Sequence, residues 1–292
     1  MTGQRRFRDF YANGREWLTV VESPYYPDFL DAASQLYQPV LERFLELVEA
    51  ANTSAGLLRS IMDEPPSIRT QLLRVFHRYV SPDTSVEMLK RKSRVEEAID
   101  GFGDRFRPFE QVRQIIRSRG VSDETLFALL SEYKDRGQKG YRLTEAFFAW
   151  VEARFQNRVK LRGAAGPGAD ILLNRLLPGY PLATPADFII TIPDDRPLVI
   201  GFARYDSDRG GAQEDDRIRG NNDSAGTILR YADERGLPLR VLFLNDGPGL
   251  LLGSMWRDYA DLEERWGDRV RVVTLKMLNE RVTYEWITGG GD

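Results

Sequence analysis

The chain has 292 residues, of which 42% are apolar and 29% charged, so it is expected to be globular rather than disordered. It contains no cysteine and one histidine, His77, which excludes disulfides, thiolate metal sites and His-rich zinc sites, so that a metal would need oxygen ligands of the kind magnesium takes. The net charge of −3 argues against a polycationic coat that binds DNA regardless of sequence.

The N-terminal stretch MTGQRRFRDFYANG has no apolar segment of the kind that a signal peptide needs. No run of 18 apolar residues occurs further along the chain, which predicts that no segment spans a membrane. We therefore expect a cytoplasmic protein with no membrane contact.

The first half of the chain is predicted to be helical. SQLYQPVLERFLELVEAAN and SIRTQLLRVFHRYV place apolar residues at intervals of three and four, and His77 falls in the second of these segments as a partly buried structural residue. SDETLFALLSEYKDRG predicts a helix capped by Ser122 and ending at Gly137, and a further helix follows from Arg142. We expect residues 1–140 to form a helical region and residues 141–292 an α/β region.

The helical region contains the most basic stretch of the chain, MLKRKSRVEEAIDGFGDRFRPFEQVRQIIRSRG. Lys90, Arg91, Lys92 and Arg94 crowd together there and are candidates for contact with DNA phosphates. An ordinary helical surface, balanced by Glu96, Glu97 and Asp100, explains the same pattern.

The second half changes character. DFIITI and LVIGFARY are β-branched and aromatic runs joined by PDDRP, which predicts a hairpin. SAGTILRYADERG and LGSMWRDYADLEERWG predict helices, and LRVLFL and VRVVTLKML predict strands. Alternation of strands with helices predicts an α/β (α+β) fold with a mixed sheet flanked by helices.

The hairpin carries the residues most relevant to chemistry. Asp187 stands where its first strand begins, and Arg204 lies on the returning strand. A carboxylate beside a cation can hold a divalent metal against a phosphate, while the cation stabilises negative charge in the transition state.

This layout resembles the PD-(D/E)XK nuclease superfamily and, within it, the type II restriction endonucleases. Pro185, Ala186 and Asp187 look like the PD element, LVIGFAR looks like the strand that carries (D/E)-X-K, and VLFLNDGPGLLLGSMWRDYADLEERWGDRVRVVTLKML looks like a late segment of such enzymes. The resemblance covers roughly residues 142 to 287. It implies a restriction-endonuclease-like core, Mg²⁺ as cofactor, and hydrolysis of double-stranded DNA by a homodimer that reads palindromic sites.

The chain departs from the family pattern at the position of the acidic residue of (D/E)-X-K. Strand alternation puts the expected acid and lysine at Phe202 and Arg204, and neither can act as a metal ligand or a base. GGAQEDDRIRG follows the strand, and in some restriction enzymes the acid is displaced into the next helix. Glu214 or Asp216 is the candidate here, with Glu214 preferred because it lies nearer the strand. The arginines that could contact DNA here are Arg209, directly before this stretch, and Arg217 and Arg219 within it.

Four further residues complete the prediction. Lys160 and Arg162 flank a glycine-rich turn, KLRGAAGPGADILL, that could approach a phosphate. Asp170 is interpreted as a helix cap or an additional metal ligand, with the cap favoured. Glu152 corresponds to an acid that such nucleases often carry on the first core helix, or else is a solvent-facing residue.

The expected function is that of a site-specific, magnesium-dependent type II restriction endonuclease, with Asp187, Arg204, Glu214 and Glu152 in the active site. Two alternatives remain open. The first is a catalytically inactive protein of nuclease fold that binds DNA, which the missing (D/E)-X-K acid favours. The second is an enzyme that acts on small phosphorylated substrates with the same carboxylates.

Overall fold

The computed structural model describes residues 4–22, 24–163, 170–207 and 212–290, with side chains for all of these except 133–137 and 212–217. The chain forms two compact units, one of Ser23–Asp135 and the other of Met1–Glu22 with Arg136–Asp292. The predicted boundary of the helical region, residues 1–140, is therefore wrong at its start, because the first 22 residues group with the sheet-containing unit.

The N-terminal segment is built into that unit by aromatic packing. A 3-10 helix, Phe7–Asn13, leads into the short helix α1, Gly14–Trp17. Phe7 and Phe10 are buried in the core around the sheet, and the ring of Phe7 stacks on Trp256 at 4.5 Å.

The helical unit is made of short amphipathic helices around its own core. Its helices are α2 Leu30–Ala50, α3 Ser54–Asp63, α4 Pro66–Tyr79, α5 Val86–Leu89, α6 Val95–Phe102 and α7 Phe109–Arg119. Apolar residues at helical spacing, among them Phe44, Leu57 and Phe76, are fully buried there. His77 is half-buried and its Nδ1 lies 2.8 Å from the carbonyl oxygen of Thr84, as expected of a structural histidine.

Helix α8 runs without a break over Glu124–Phe155. The predicted helix end at Gly137 is therefore wrong, as is the predicted cap: the side chain of Asp123, not Ser122, accepts a hydrogen bond from the Leu126 N–H at 3.0 Å. A glycine within a helix costs only about 1 kcal/mol relative to alanine, and buried apolar residues of α8 on both sides of Gly137, such as Leu130 and Leu143, outweigh that cost.

The other unit contains the sheet. Its elements after α8 are β1 Lys160–Gly163, β2 Ile171–Leu172, α9 Leu173–Leu176, β3 Pro185–Ala186, β4 Phe188–Thr191, β5 Pro197–Tyr205, α10 Ala212–Glu234, β6 Arg240–Asp246, α11 Met255–Trp266, β7 Val270–Val273, α12 Leu278–Arg281 and α13 Tyr284–Thr288. Five strands pair in the order β1-β4-β5-β6-β7, and β2 pairs with β3.

The sheet is mixed, as the sequence predicts. Strands β1, β4 and β5 pair in antiparallel fashion, and β4 and β5 form the predicted hairpin. Strands β5, β6 and β7 are parallel, connected through α10 and α11. The fold is therefore mixed α/β with an N-terminal helical region. Strand β7 is shorter than predicted, because the chain turns into a 3-10 helix at Leu275.

No helix in the described ranges is both long enough and apolar enough to cross a membrane.

Candidate active site

Asp187 lies between β3 and β4, where the chain is bound tightly to β5. Its N–H donates to the Gly201 carbonyl at 3.0 Å, and its Oδ2 accepts from the Ala203 N–H at 2.8 Å. A Cβ atom on Gly201 would come within 2.0 Å of the Phe188 ring, so only glycine lets the two strands approach in this way. These contacts with Gly201 and Ala203 hold the Asp187 carboxylate in place beside β5.

The charge of Asp187 is disfavoured by its surroundings. Burial raises the pKa of its carboxyl, the Ala203 N–H lowers it, and the negative charge of Asp170 raises it further. A half-buried carboxyl with a raised pKa beside a second acid is typical of functional sites.

Asp170 directly precedes β2, and Asp187 directly follows β3, the strand that pairs with β2. Ile171 pairs with Ala186 and Leu172 with Pro185, and extending this register by one residue places Asp170 opposite Asp187. The cap interpretation of Asp170 is wrong, because α9 begins at Leu173 and the residue before it is Leu172. The second interpretation, an additional metal ligand, stays a prediction.

Arg204 is held in place by a residue that the sequence analysis did not single out. Its Nε donates to Asp206 Oδ1 at 2.7 Å, and the Asp206 side chain is only 4% exposed. The main chain of Asp206 is fixed in turn, since its N–H donates to the Asp246 carbonyl and its carbonyl accepts from Gly249. The hydrogen bond to Asp206 therefore holds the guanidinium of Arg204 in a fixed position at the pocket.

An open pocket of about 370 Å³ contains both members of the predicted pair, Asp187 and Arg204. Helix α10 contributes Asn221 and Ser224 to its wall, and α11 contributes Tyr259. Asn221 Nδ2 donates to the Tyr259 hydroxyl at 3.3 Å. The pocket thus combines a carboxylate, a guanidinium and several neutral polar groups.

Phe202 lines the same pocket, as the alternation along β5 predicts. Its ring stacks on Phe243 at 5.3 Å with an interplanar angle of 18°. The position where the family pattern has an acid is therefore filled by an aromatic stack.

Asn245 is the least expected member of the pocket. It lies beside Arg204 in the register of β5 and β6, and its side chain is 2% exposed. Its Nδ2 has no hydrogen-bond partner in the described part of the chain. The sequence gives one indication that Asn245 belongs to a site, which is that a polar residue stands near the carboxyl end of a predicted strand.

The neighbouring Asp246 has a structural role. It is fully buried and accepts hydrogen bonds from the N–H groups of Thr19, Gly247 and Leu275 at 2.7–2.9 Å. Burial raises the pKa of this carboxyl, while the three donors lower it. The aspartate of the DGP segment thus joins the N-terminal segment to the ends of β6 and β7.

The remaining predicted residues of this unit lie apart from the pocket or outside the described side chains. Glu152 is exposed on α8, and Arg162 and Arg219 are exposed on β1 and α10. Lys160 donates to the Pro193 carbonyl at 2.7 Å and pairs with Asp195 in the hairpin turn. Arg209 lies outside the described residues, and the side chains of Glu214, Asp216 and Arg217, at the start of α10, are also outside them.

The basic stretch of the helical unit is partly neutralised by nearby acids. Lys90 pairs with Glu87 at 2.6 Å and Lys92 with Asp63 at 3.0 Å. Arg91 and Arg94 are exposed and have no ion pair with any residue whose side chain is described. Their contact with DNA stays a prediction.

The donor set of the pocket is compatible with magnesium. Among the described residues, no group of three or more His, Cys, Asp or Glu residues is placed to hold a metal ion. Magnesium is nevertheless often held by one or two carboxylates, with water and substrate phosphates as its other ligands. Asp187 supplies the carboxylate of the pocket, and the further candidates are Asp170, whose charge raises the pKa of Asp187, and Glu214.

A scan against models of known protein families and a search of curated proteins give no match for this chain.

Proposed function

We propose that this protein is a magnesium-dependent endonuclease that hydrolyses double-stranded DNA, of the type II restriction kind, with the pocket around Asp187 as its active site. The supporting observation is that Asp187, directly before β4, and Arg204, on β5, line one pocket with Asn245, whose buried amide nitrogen has no hydrogen-bond partner among the described residues. Carboxylates for a cation and a guanidinium for a phosphate are what such a reaction needs.

The metal ligands would be Asp187, Asp170 and an acid from the start of α10. Position 214 precedes Asn221 by seven residues, a spacing that puts both on the same face of the helix. Asn221 lines the pocket, and so does Gly220, which follows position 216 by four residues, so Glu214 is preferred over Asp216 only because it lies nearer β5. Bound Mg²⁺ would polarise a phosphoryl oxygen and lower the pKa of an attacking water.

Arg204 would stabilise the negative charge that develops on the phosphoryl group. It cannot act as a base, because an arginine guanidinium is not deprotonated in proteins. Its bond to the buried Asp206 holds it in place before substrate binds. In this proposal the products carry 5′-phosphates, as in the family that the chain resembles.

The proposal extends to partners. A restriction enzyme acts on DNA in the cytoplasm, and palindromic sites are read by two-fold assemblies, so we propose a homodimer. Mg²⁺ is the proposed cofactor.

A second candidate function, DNA binding without cleavage, is favoured by Phe202. Its ring occupies the place of the family's acid and stacks on Phe243. A protein of this kind would retain DNA but leave it intact with magnesium present.

Cleavage of a supercoiled plasmid separates the two functions. We expect the wild type to nick and linearise plasmid with magnesium, and Asp187→Asn and Glu214→Gln to lose at least about 100-fold in rate, since removing a metal ligand should cost more than removing its supporting groups. Asp223→Asn is the control, because Asp223 is exposed on α10 outside the pocket. Equal rates for Asp187→Asn and the wild type would contradict the proposed site. Intact plasmid with retained binding would favour the second function.

A further inference from the structure

The helical unit contains a second pocket, and two of the arginines that line it, Arg107 and Arg119, lack the carboxylate partner that other arginines of this unit have among the described residues. Five arginines of this unit have a carboxylate partner among the described residues: Arg43 with Glu46 and Glu64, Arg59 with Glu96, Arg105 with Asp83, Arg113 with Glu110, and Arg117 with Glu49. Arg107 and Arg119 have no ion pair with any side chain that the structure describes.

Arg107 and Arg119 line a single pocket of about 360 Å³, together with Arg78. Its wall also includes the apolar side chains of Ile115, Leu126 and Leu129. The pocket therefore offers guanidinium groups beside an apolar surface.

Asp123 is the acid of this pocket, and it has other partners. One of its oxygens accepts from the Leu126 N–H at the start of α8, and the other accepts from the Tyr79 hydroxyl at 3.3 Å. Burial and Asp123 raise the pKa of Tyr79 to about 12, while the charges of Arg119 and Arg107 act in the opposite direction. Tyr79 is thus a neutral donor at physiological pH, and both arginines lie near enough to influence its hydroxyl.

We propose that this pocket binds a phosphate of the DNA backbone, through Arg107 and Arg119, with the deoxyribose against its apolar wall. The guanidinium fork matches the oxygens of a phosphodiester, and arginine is less strongly hydrated than lysine. This inference rests on the proposed function for its choice of partner, but it concerns a site in a different unit from Asp187.

Salt-dependent binding tests the proposal without any cleavage. Anisotropy of a fluorescent DNA duplex would be measured in EDTA over a range of salt concentrations, with wild type, Arg107→Gln, Arg119→Gln and the double variant. Each phosphate contact contributes about 0.9 to the slope of log affinity against log salt, and both arginines bind the same phosphate, so the slope of the double variant should fall by about 0.9. Arg117→Gln is the matched control, since it removes the same charge from the same helix but its guanidinium is paired with Glu49 at 2.5 Å. Its slope should match that of the wild type.

Three results would be decisive. A lower slope for the Arg107 and Arg119 variants with an unchanged slope for Arg117→Gln supports the pocket. Equal slopes for all proteins overturn it while leaving cleavage at Asp187 intact, because plasmid nicking is measured separately. Absence of DNA binding by the wild type overturns it as well. Circular dichroism melts check folding, and if Arg107→Gln lowers the melting temperature, Arg119→Gln, exposed at the end of α7, is the deciding variant.

Discussion

Asn245 and Asp246 are consecutive buried residues on β6, yet they differ in what surrounds their polar atoms. Asp246 accepts from three backbone N–H groups, whereas the Asn245 amide nitrogen has no partner in the described chain. A buried donor without a partner costs about 1–3 kcal/mol. Under the proposed function, that cost is offset when Asn245 donates to a phosphate oxygen of the substrate.

Replacing Asn245 with leucine tests this role. Asn245→Leu should leave the melting temperature unchanged or raise it, because an unpaired amide is replaced by an apolar group of similar size, while plasmid cleavage should fall at least about 10-fold. Thr191→Val is the control: Thr191 is fully buried and its hydroxyl has no hydrogen-bond partner in the described ranges, but it does not line the pocket. That variant should cleave at the wild-type rate. A clear loss of stability in Asn245→Leu, or wild-type cleavage by it, would rule the role out.

The negative charge of Asp170 near Asp187 predicts a pH effect. The charge of Asp170 raises the pKa of Asp187, so Asp170→Asn should lower that pKa and let Asp187 ionise at lower pH. Carbon-13 NMR titration of the aspartate carboxyl groups, without magnesium, measures the change directly, with Asp187→Asn used for assignment. An Asp187 pKa that stays the same or rises would show that the two carboxylates do not interact.

At the scale of elements, the backbone groups at the outer edge of β7 form hydrogen bonds with side chains instead of with another strand. The Val272 N–H donates to Glu263 Oε2, and the Val272 carbonyl accepts from Arg281. Glu263 and Arg281 form a buried ion pair at 2.7 Å, and Glu263 also accepts from the Phe7 N–H. The pair closes a sheet edge that would otherwise expose unpaired backbone groups.

Breaking this pair should destabilise the protein strongly. Glu263→Gln leaves the buried Arg281 charge uncompensated and should lower the free energy of unfolding by about 3–5 kcal/mol. Asp261→Asn, which breaks the exposed pair with Arg8, should cost less than about 1 kcal/mol. Urea denaturation of both variants measures the difference. Similar losses in the two would show that the edge of β7 does not depend on the buried pair.

The elements themselves were largely predictable, because periodicity is a local property. The spacing in DFIITI and LVIGFARY predicts the β4–β5 hairpin, and alternation along β5 places Phe202 and Arg204 in one pocket. Helix α8 was not predictable as one helix, since a glycine that ends a helix and one that continues it look alike in sequence. What decides between them is packing on both sides.

At the scale of the whole molecule, the features that the sequence did not predict depend on contacts between residues that lie far apart in the chain. The first 22 residues join the sheet-containing unit through pairs such as Thr19 with Asp246 and Arg5 with Glu280, which have no local signature. Asp170 and Asn245 reach the neighbourhood of Asp187 only through strand register. Asp187 and Arg204 were predictable because one hairpin carries both.

Digestion of phage DNA by the purified protein, with magnesium and with EDTA, tests the central proposal most directly. We expect discrete bands that appear only with magnesium and are absent for Asp187→Asn. DNA that stays intact in every lane would contradict the proposed endonuclease. A smear that depends on magnesium would support the hydrolytic site and contradict its sequence specificity.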